Sequence, residues 1–118
     1  MSWVVMFYDD AQGRVPVREW LERLELSDPA ASGRVRHYID LLEQFGVLLE
    51  EPYTKQLEGK LRELRPGRWR VTYFADPRRR LILLTSFQKS SRKTDRKEIE
   101  LARKRMLDWM DRVEKGER

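Results

Sequence analysis

The segment Leu81-Ile82-Leu83-Leu84 is apolar at every position, and it constrains the fold more than any other part of the sequence. Alternate side chains of a strand point to opposite faces of the sheet, so a strand that is apolar on both faces belongs in the interior of a sheet. Two more β-type segments, residues 60–65 and 68–74, precede it and are bounded by Pro66-Gly67 and Asp76-Pro77. The pattern predicts three strands joined as a meander.

The N-terminal part predicts one strand followed by two helices. Residues 3–8 are β-branched or aromatic except for Met6, and they end at Asp9-Asp10, which is typical of a strand closed by a turn. Pro16 begins the first helix, whose apolar residues have helical spacing up to Leu24. Residues 27–29 provide the cap and first turn of the second helix, and Gly46 stands where a left-handed C-terminal cap is expected.

A third helix follows the meander. Thr94 or Asp95 can cap it, and Glu98 would complete a capping box if Asp95 is the cap. Its buried stripe runs to Val113, and the charged residues 112–118 are expected to form a solvated tail. The element order is β-α-α-β-β-β-α, an α+β class, and the whole chain 1–118 is expected to form one domain with one core.

Composition restricts the possible chemistry. The chain has no cysteine, which excludes disulfides, thiolate zinc sites and cysteine nucleophiles, and its single histidine leaves few transition-metal sites. We therefore expect no metal and no cofactor. No apolar stretch approaches the ~20 residues needed to span a bilayer, so no membrane association and a cytoplasmic location are expected. The net charge of +5 favours binding to polyanions.

Basic residues concentrate on one side of the predicted meander. If Pro66-Gly67 forms a two-residue loop, Arg65 lies opposite Arg68 and Glu63 lies opposite Arg70, all on one face. The other face carries Leu64, Trp69, Val71 and Tyr73 and is expected to be the core face. Like charges across a ladder are destabilising, so a cationic platform indicates function. The alternative is an ordinary exposed face with Glu63 and Arg70 as a cross-strand pair.

A basic loop follows the last predicted strand. Residues 88–94 read Gln-Lys-Ser-Ser-Arg-Lys-Thr and lead into the N-terminus of the third helix, where free backbone amides favour phosphate. The alternative is a flexible connector. His37 is expected at the surface, and Trp20, Trp69 and Trp109 are expected in the core because each falls on a predicted buried face.

Several short motifs, in this order and spacing, resemble the phage-derived branch of the RelE/HigB-type toxins. They are Pro52-Tyr53-Thr54-Lys55-Gln56-Leu57, Leu61-Arg62-Glu63-Leu64-Arg65, Trp69-Arg70-Val71-Thr72-Tyr73, Leu83-Leu84-Thr85-Ser86-Phe87-Gln88-Lys89, and Lys93-Thr94 with Glu98-Ile99 and Ala102. The similarity covers about residues 3–110. It implies a RelE-like compact antiparallel sheet with two N-terminal helices and one C-terminal helix.

The resemblance also implies a function: a toxin of a toxin–antitoxin pair that cleaves mRNA on the ribosome without a metal, through attack of the 2′-hydroxyl on the adjacent phosphate. The implied partners are mRNA, the ribosome and a helix-turn-helix antitoxin. Arg65, Arg70 and Lys89, carried over from the motifs, are the candidate catalytic residues, because guanidinium groups bind phosphate oxygens and stabilise developing charge. Further candidates for RNA contacts are Lys55, Lys60, Arg68, Arg92 and Lys93.

Two features leave other functions open. Ser90 stands where the branch commonly has a second lysine, and no histidine lies nearby to transfer a proton. A non-catalytic RNA- or ribosome-binding protein and a phage structural module are therefore alternatives on the same fold. The nuclease hypothesis requires that Arg65, Arg70 and Lys89 converge on one exposed surface without being buried in pairs with carboxylates.

Overall fold

A computed structural model describes residues 2–118 and shows an α+β architecture, as the sequence predicts. A five-stranded sheet has two helices on one face and one helix on the other. The elements, in chain order, are β1 (Val4–Phe7), α1 (Pro16–Ser27), α2 (Pro29–Phe45), a 3-10 turn (Gly46–Leu48), β2 (Thr54–Glu58), β3 (Leu61–Leu64), β4 (Trp69–Ala75), β5 (Arg80–Gln88) and α3 (Arg96–Glu114).

The sheet has the strand order β1-β5-β4-β3-β2. Strands β2 to β5 form an antiparallel meander, and β1 pairs in parallel with β5, so the sheet is mixed where a fully antiparallel one was expected. Strand β2 was not predicted. Its sequence, Thr-Lys-Gln-Leu-Glu, lacks apolar alternation because β2 is an edge strand that contributes little to the core.

Strand β5 is an interior strand with core on both faces, as its apolar run predicts. Leu81 and Leu83 pack against α1 and α2, whereas Ile82 and Leu84 pack against α3. Thr72 pairs with Thr85 but Tyr73 pairs with Leu83, so Leu84 is an extra residue in β5. This bulge turns Thr85 and Phe87 toward the same face as Ile82.

The β3–β4 register differs from the prediction. Glu63 lies opposite Thr72, where Arg70 was expected, because the loop is longer than Pro66-Gly67 alone. Pro-Gly does not favour the two-residue hairpin turns, and Gly67 has φ 63°. The register shift is two residues, an even number, so the predicted division between faces is preserved.

Helix boundaries follow the predicted signals. The Asp28 carboxylate accepts a hydrogen bond from the Ala31 N–H, and the Asp95 carboxylate accepts one from the Lys97 N–H. Gly46 ends α2 with φ 54°, and a Cβ atom there would lie 2.2 Å from the Trp3 ring. Gly46 is therefore required both by its backbone conformation and by the close approach of Trp3.

The C-terminal residues are not the solvated tail that was expected. Arg112 ion-pairs with Asp9 and Asp108, and Arg118 ion-pairs with Asp9 while lying over the Trp109 ring. These contacts fasten the end of α3 to the residues after β1. The burial of Trp109, the core packing of Trp20 and Trp69, and the exposure of His37 are confirmed. Within residues 2–118, no helix combines the length and apolarity needed to cross a membrane.

Candidate nucleic-acid interface

A row of polar side chains crosses the sheet on the α3 side. Lys55 pairs with Glu63, Glu63 with Thr72, and Thr72 with Thr85, so one residue from each of β2 to β5 lies in this row. Thr72 and Thr85 are buried and their hydroxyls are 2.5 Å apart. The apolar part of this face is covered by α3, which leaves the polar row beside the first turn of that helix.

Glu63 is the centre of the polar cluster, with a side chain that is only 2% exposed. One carboxylate oxygen lies 3.6 Å from Arg65 Nε and 3.7 Å from Arg70 Nε. The other oxygen accepts a 2.8 Å hydrogen bond from the Thr94 hydroxyl. Glu63 therefore balances part of two guanidinium charges and holds the end of the loop before α3 against the sheet.

Arg70 is buried, which corrects the prediction of an exposed platform of three arginines. Its side chain is 6% exposed, and one guanidinium nitrogen donates to the carbonyl oxygens of Gly67 and Trp69, at 2.7 Å each. Burial lowers the pKa of Arg70, and repulsion from Arg65 lowers it further. The Arg70 guanidinium is thus fixed beneath the surface by the β3–β4 turn.

Arg65 is more accessible than Arg70, with 28% of its side chain exposed. It borders an open cleft of about 530 Å³ together with Lys55, Arg92 and Lys93. The Arg65 Nε atom donates no hydrogen bond to any of residues 2–118. The Nε atom is itself buried, so Arg65 combines an ion pair to a buried carboxylate with a side chain that is partly exposed at a cleft, which suits an anion contact.

Lys89 lies at the end of β5 and is exposed. Its backbone N–H donates to the Arg68 carbonyl at 2.8 Å, which fixes the start of the loop 89–95. Lys89 borders a second cleft of about 200 Å³, together with Arg70, Arg92 and Lys93. The two clefts adjoin, because Arg92 and Lys93 line both.

Five candidate cations that are exposed or partly exposed therefore converge on two neighbouring clefts: Lys55, Arg65, Lys89, Arg92 and Lys93. The buried Arg70 borders the smaller cleft from beneath. The nuclease hypothesis required that the three candidate catalytic residues converge without being buried against carboxylates, and Arg70 fails this requirement. Arg65 and Lys89 line the clefts as required, but Arg65 and Arg70 share a buried carboxylate and Arg70 is itself buried.

Two other candidates lie elsewhere. Lys60, in the β2–β3 turn, borders a cleft with Val47 and Tyr73. The Arg68 guanidinium lies 5.3 Å from the centre of the Trp69 ring and borders a cleft at the start of α2. The structure places neither side chain with the five converging cations.

Sequence reasoning missed three polar residues at the clefts. Arg96 borders the larger cleft, although it also pairs with Glu58, and Thr94 reaches Glu63 across the fold. Glu98 borders the smaller cleft, and burial raises its pKa. Two signals marked Glu98 in the sequence, its position three residues after the Asp95 cap and its place in the motif with Lys93-Thr94, but neither indicated a role at the site. Among residues 2–118, no three acidic or histidine side chains cluster as metal ligands would.

Comparisons with known proteins agree with this architecture. The family model described as "Phage derived protein Gp49-like" matches residues 19–107. Among solved structures, the chain is similar to the archaeal RelE–RelB complex from Pyrococcus horikoshii OT3, with 23% identity and a TM-score of 0.55. That alignment covers 75% of this chain and 96% of the archaeal one. None of the curated proteins matches.

The family match spans α1 to the middle of α3, and so includes all the residues that line the two clefts. The structural match covers three quarters of this chain, at an identity that shows the fold alone. This chain therefore belongs to the phage-derived Gp49-like family, and it has the RelE fold.

Proposed function

We propose that this chain is the toxin of a toxin–antitoxin pair and an endoribonuclease that cleaves mRNA on the ribosome, in the cytoplasm. Its family and fold support the toxin role. The observation that carries the nuclease role is the convergence of cations from three strands and one loop on adjoining clefts. RNA presents a continuous series of phosphates, and such a cluster binds phosphates through charge-assisted hydrogen bonds.

The proposed reaction is attack by the RNA 2′-hydroxyl on the adjacent phosphorus, which makes a cyclic phosphate and releases the 5′-oxygen of the next nucleotide. Negative charge builds up on the phosphorane, and fixed cations stabilise that charge. Arg65 contacts the phosphate directly, because its guanidinium borders the larger cleft. Lys89 protonates the leaving oxygen or binds the phosphate from the smaller cleft.

The role proposed for Arg70 follows from its burial. Two carbonyl oxygens and Glu63 hold its guanidinium in one position below the clefts. A fixed buried charge acts on a nearby phosphorane without needing to reorganise during the reaction. Arg70 therefore contributes positive potential from beneath, while Lys55, Arg92 and Lys93 bind the RNA backbone. Lys60 and Arg68 belong to a more distant part of the RNA or ribosome surface in this proposal.

The partner proposed is a helix-turn-helix antitoxin that neutralises the toxin. The similar archaeal RelE was solved as a complex with RelB, which supports a protein partner for this chain. Co-expression with the partner should restore growth. A partner that binds tightly but leaves growth arrested would contradict this part of the proposal.

The test is to induce the protein in growing cells and map the 5′ ends of messages. We expect growth arrest and discrete new ends within codons, and we expect both effects to be lost in Arg65→Ala and Lys89→Ala. The matched control is Arg18→Ala, an arginine on α1 that is 57% exposed and far from the clefts. Melting curves of each variant confirm folding. Active Arg65→Ala and Lys89→Ala variants would remove both residues from the mechanism.

A non-catalytic ribosome- or RNA-binding protein is the second candidate. The shared Glu63 carboxylate favours it, since it leaves fewer unpaired charges for stabilising a phosphorane. The same experiment separates the two functions. A binder would arrest ribosomes on intact messages, whereas the nuclease produces new ends.

A further inference from the structure

We propose that Glu98, in the first turn of α3, is the general base that takes the proton from the attacking 2′-hydroxyl. The inference deepens the proposed function and rests on it. An in-line attack by a hydroxyl group needs a proton acceptor, and no histidine lies near the clefts. Asp95 and Glu98 line the smaller cleft, and Glu58 and Glu63 line the larger one. Asp95 is used to cap α3, and Glu58 is paired with two arginines, which leaves Glu63 and Glu98 to compare.

Glu63 is engaged. Its side chain is 2% exposed, both arginines share one of its oxygens, and the Thr94 hydroxyl donates to the other. Both oxygens of this carboxylate are therefore occupied by other side chains, and neither is free to approach a 2′-hydroxyl. Glu63 is therefore a positioning residue for Arg65 and for the loop.

Glu98 is available. It is half-buried, it lines the smaller cleft, and neither a hydrogen bond nor an ion pair joins its carboxylate to another of residues 2–118. The predicted capping-box bond to the Asp95 N–H is not formed, so this carboxylate is not used to cap α3. A half-buried carboxylate without a structural partner, directed at a cationic cleft, has the geometry of a reacting group.

The surroundings also adjust the basicity of Glu98. Burial is the main cause of its raised pKa, to which the Asp95 charge adds, while Lys97 and Arg105 on the same helix oppose the rise. A raised pKa makes a carboxylate a stronger base near neutral pH.

Four cations line the same cleft from other elements: Arg70 from β4, and Lys89, Arg92 and Lys93 from the loop after β5. Lys89, Arg92 and Lys93 are exposed and are available to the phosphate that the 2′-oxygen attacks, whereas the buried Arg70 adds positive potential from beneath.

The step is balanced as follows. The Glu98 carboxylate accepts the 2′-hydroxyl proton as the oxygen–phosphorus bond forms. The bond from phosphorus to the 5′-oxygen breaks, and that oxygen takes a proton from the Lys89 ammonium or from water. The products are a 2′,3′-cyclic phosphate, a free 5′-hydroxyl and a protonated Glu98. Glu98 then returns its proton to solvent, and Lys89, where it was the donor, regains one from solvent.

The test compares Glu98→Gln with Glu100→Gln in single-turnover cleavage of a message on programmed ribosomes. Glu100 lies on the same helix, and its side chain is 65% exposed, so the control makes the same charge change outside the cleft. We expect Glu98→Gln to cut about 10²–10⁴ times more slowly than the wild type, with unchanged ribosome binding. Glu100→Gln should cut at the wild-type rate.

Two further readouts separate catalysis from folding. The wild-type rate should fall as the pH drops through the pKa of Glu98, and this acidic limb should be absent in Glu98→Gln. Added formate should restore cutting by Glu98→Ala, because a free carboxylate can enter the vacated space. Formate would have no such effect if Glu98 had only a structural role.

If Glu98→Gln cuts within about threefold of the wild-type rate, the loss is far smaller than expected for a general base. That result would leave the proposed function standing but overturn the role of Glu98. Slow cutting by Glu98→Gln without formate rescue of Glu98→Ala would overturn it too. If the unchanged protein cuts no message at all, the proposed function fails and the inference fails with it.

Discussion

Replacing Glu63 by glutamine tests whether the buried carboxylate holds the candidate site together. Glutamine keeps the shape of the side chain and an oxygen that can accept from Thr94, but it removes the charge that faces Arg65 and Arg70. Arg70 is 6% exposed, so its guanidinium would remain buried beside a neutral group. Breaking a buried ion pair in this way costs about 3–5 kcal/mol.

The lower part of that range applies here, because Arg70 keeps its two carbonyl acceptors and Arg65 is partly solvated. We expect Glu63→Gln to lose about 3 kcal/mol of unfolding free energy, which for a chain of this size lowers Tm by roughly 12 °C. Urea unfolding monitored by tryptophan fluorescence measures this loss.

A double-mutant cycle with Arg70→Met identifies the cause. If the Glu63 charge stabilises mainly Arg70, Glu63→Gln in the Arg70→Met background should lose less than about 1 kcal/mol. A loss of under about 1 kcal/mol in the single variant would refute the reasoning, since it would mean that the two arginines do not depend on the carboxylate.

Three further predictions concern other parts of the molecule. The pKa of Asp76 is lowered because hydrogen bonds from Arg80 and Trp109 outweigh the effect of burial. Asp76→Asn should therefore destabilise the protein by a constant amount above about pH 4. Below that pH, the urea midpoints of the wild type and the variant should approach each other, because protonation of Asp76 removes the stabilisation from the wild type. A pH-independent difference would contradict this. Arg92→Ala should lower the salt dependence of RNA binding, measured as the slope of log K against log salt, by about 0.7, and an unchanged slope would remove Arg92 from the interface. Gly46→Ala should lose about 2–4 kcal/mol in urea unfolding, from the positive φ and the contact with Trp3, and near-wild-type stability would contradict the close approach.

The parts of the fold that were predictable are those where a local pattern is sufficient. The apolar run in β5 predicts an interior strand because both faces of that strand are buried, and Asp28 and Asp95 mark helix starts because capping acts within one turn. The polar edge strand β2 carries no such pattern. Strand β2 forms through backbone pairing with β3, and its own side chains do not indicate that pairing.

The candidate site was predictable in its composition but not in its arrangement. The sequence places Arg65 and Arg70 on one face, and the structure agrees. The guanidinium of Arg70 is held beneath the surface, however, by the carbonyl oxygens of Gly67 and Trp69, which the β3–β4 connection directs toward it. The bond from Thr94 to Glu63 joins residues 31 positions apart. Contacts of this range come from tertiary packing, which no spacing along the chain encodes.

The ion pairs at the end of α3 illustrate the same limit. Arg112 and Arg118 lie in a charge-rich segment that is typical of a frayed tail, yet both pair with Asp9 at the other end of the chain. The Trp109 ring, which both guanidiniums overlie, provides the surface on which they pack.

The central claim is that the converging cations bind a single phosphodiester of mRNA. A structure of this protein on the ribosome, with a message carrying a 2′-deoxynucleotide at the mapped cut site, tests that claim most directly. Our account predicts that the phosphate at that site lies within hydrogen-bonding distance of Arg65 or Lys89, with Glu98 facing the 2′ carbon. A phosphate bound beside Lys60 or Arg68, with both clefts empty, would contradict it.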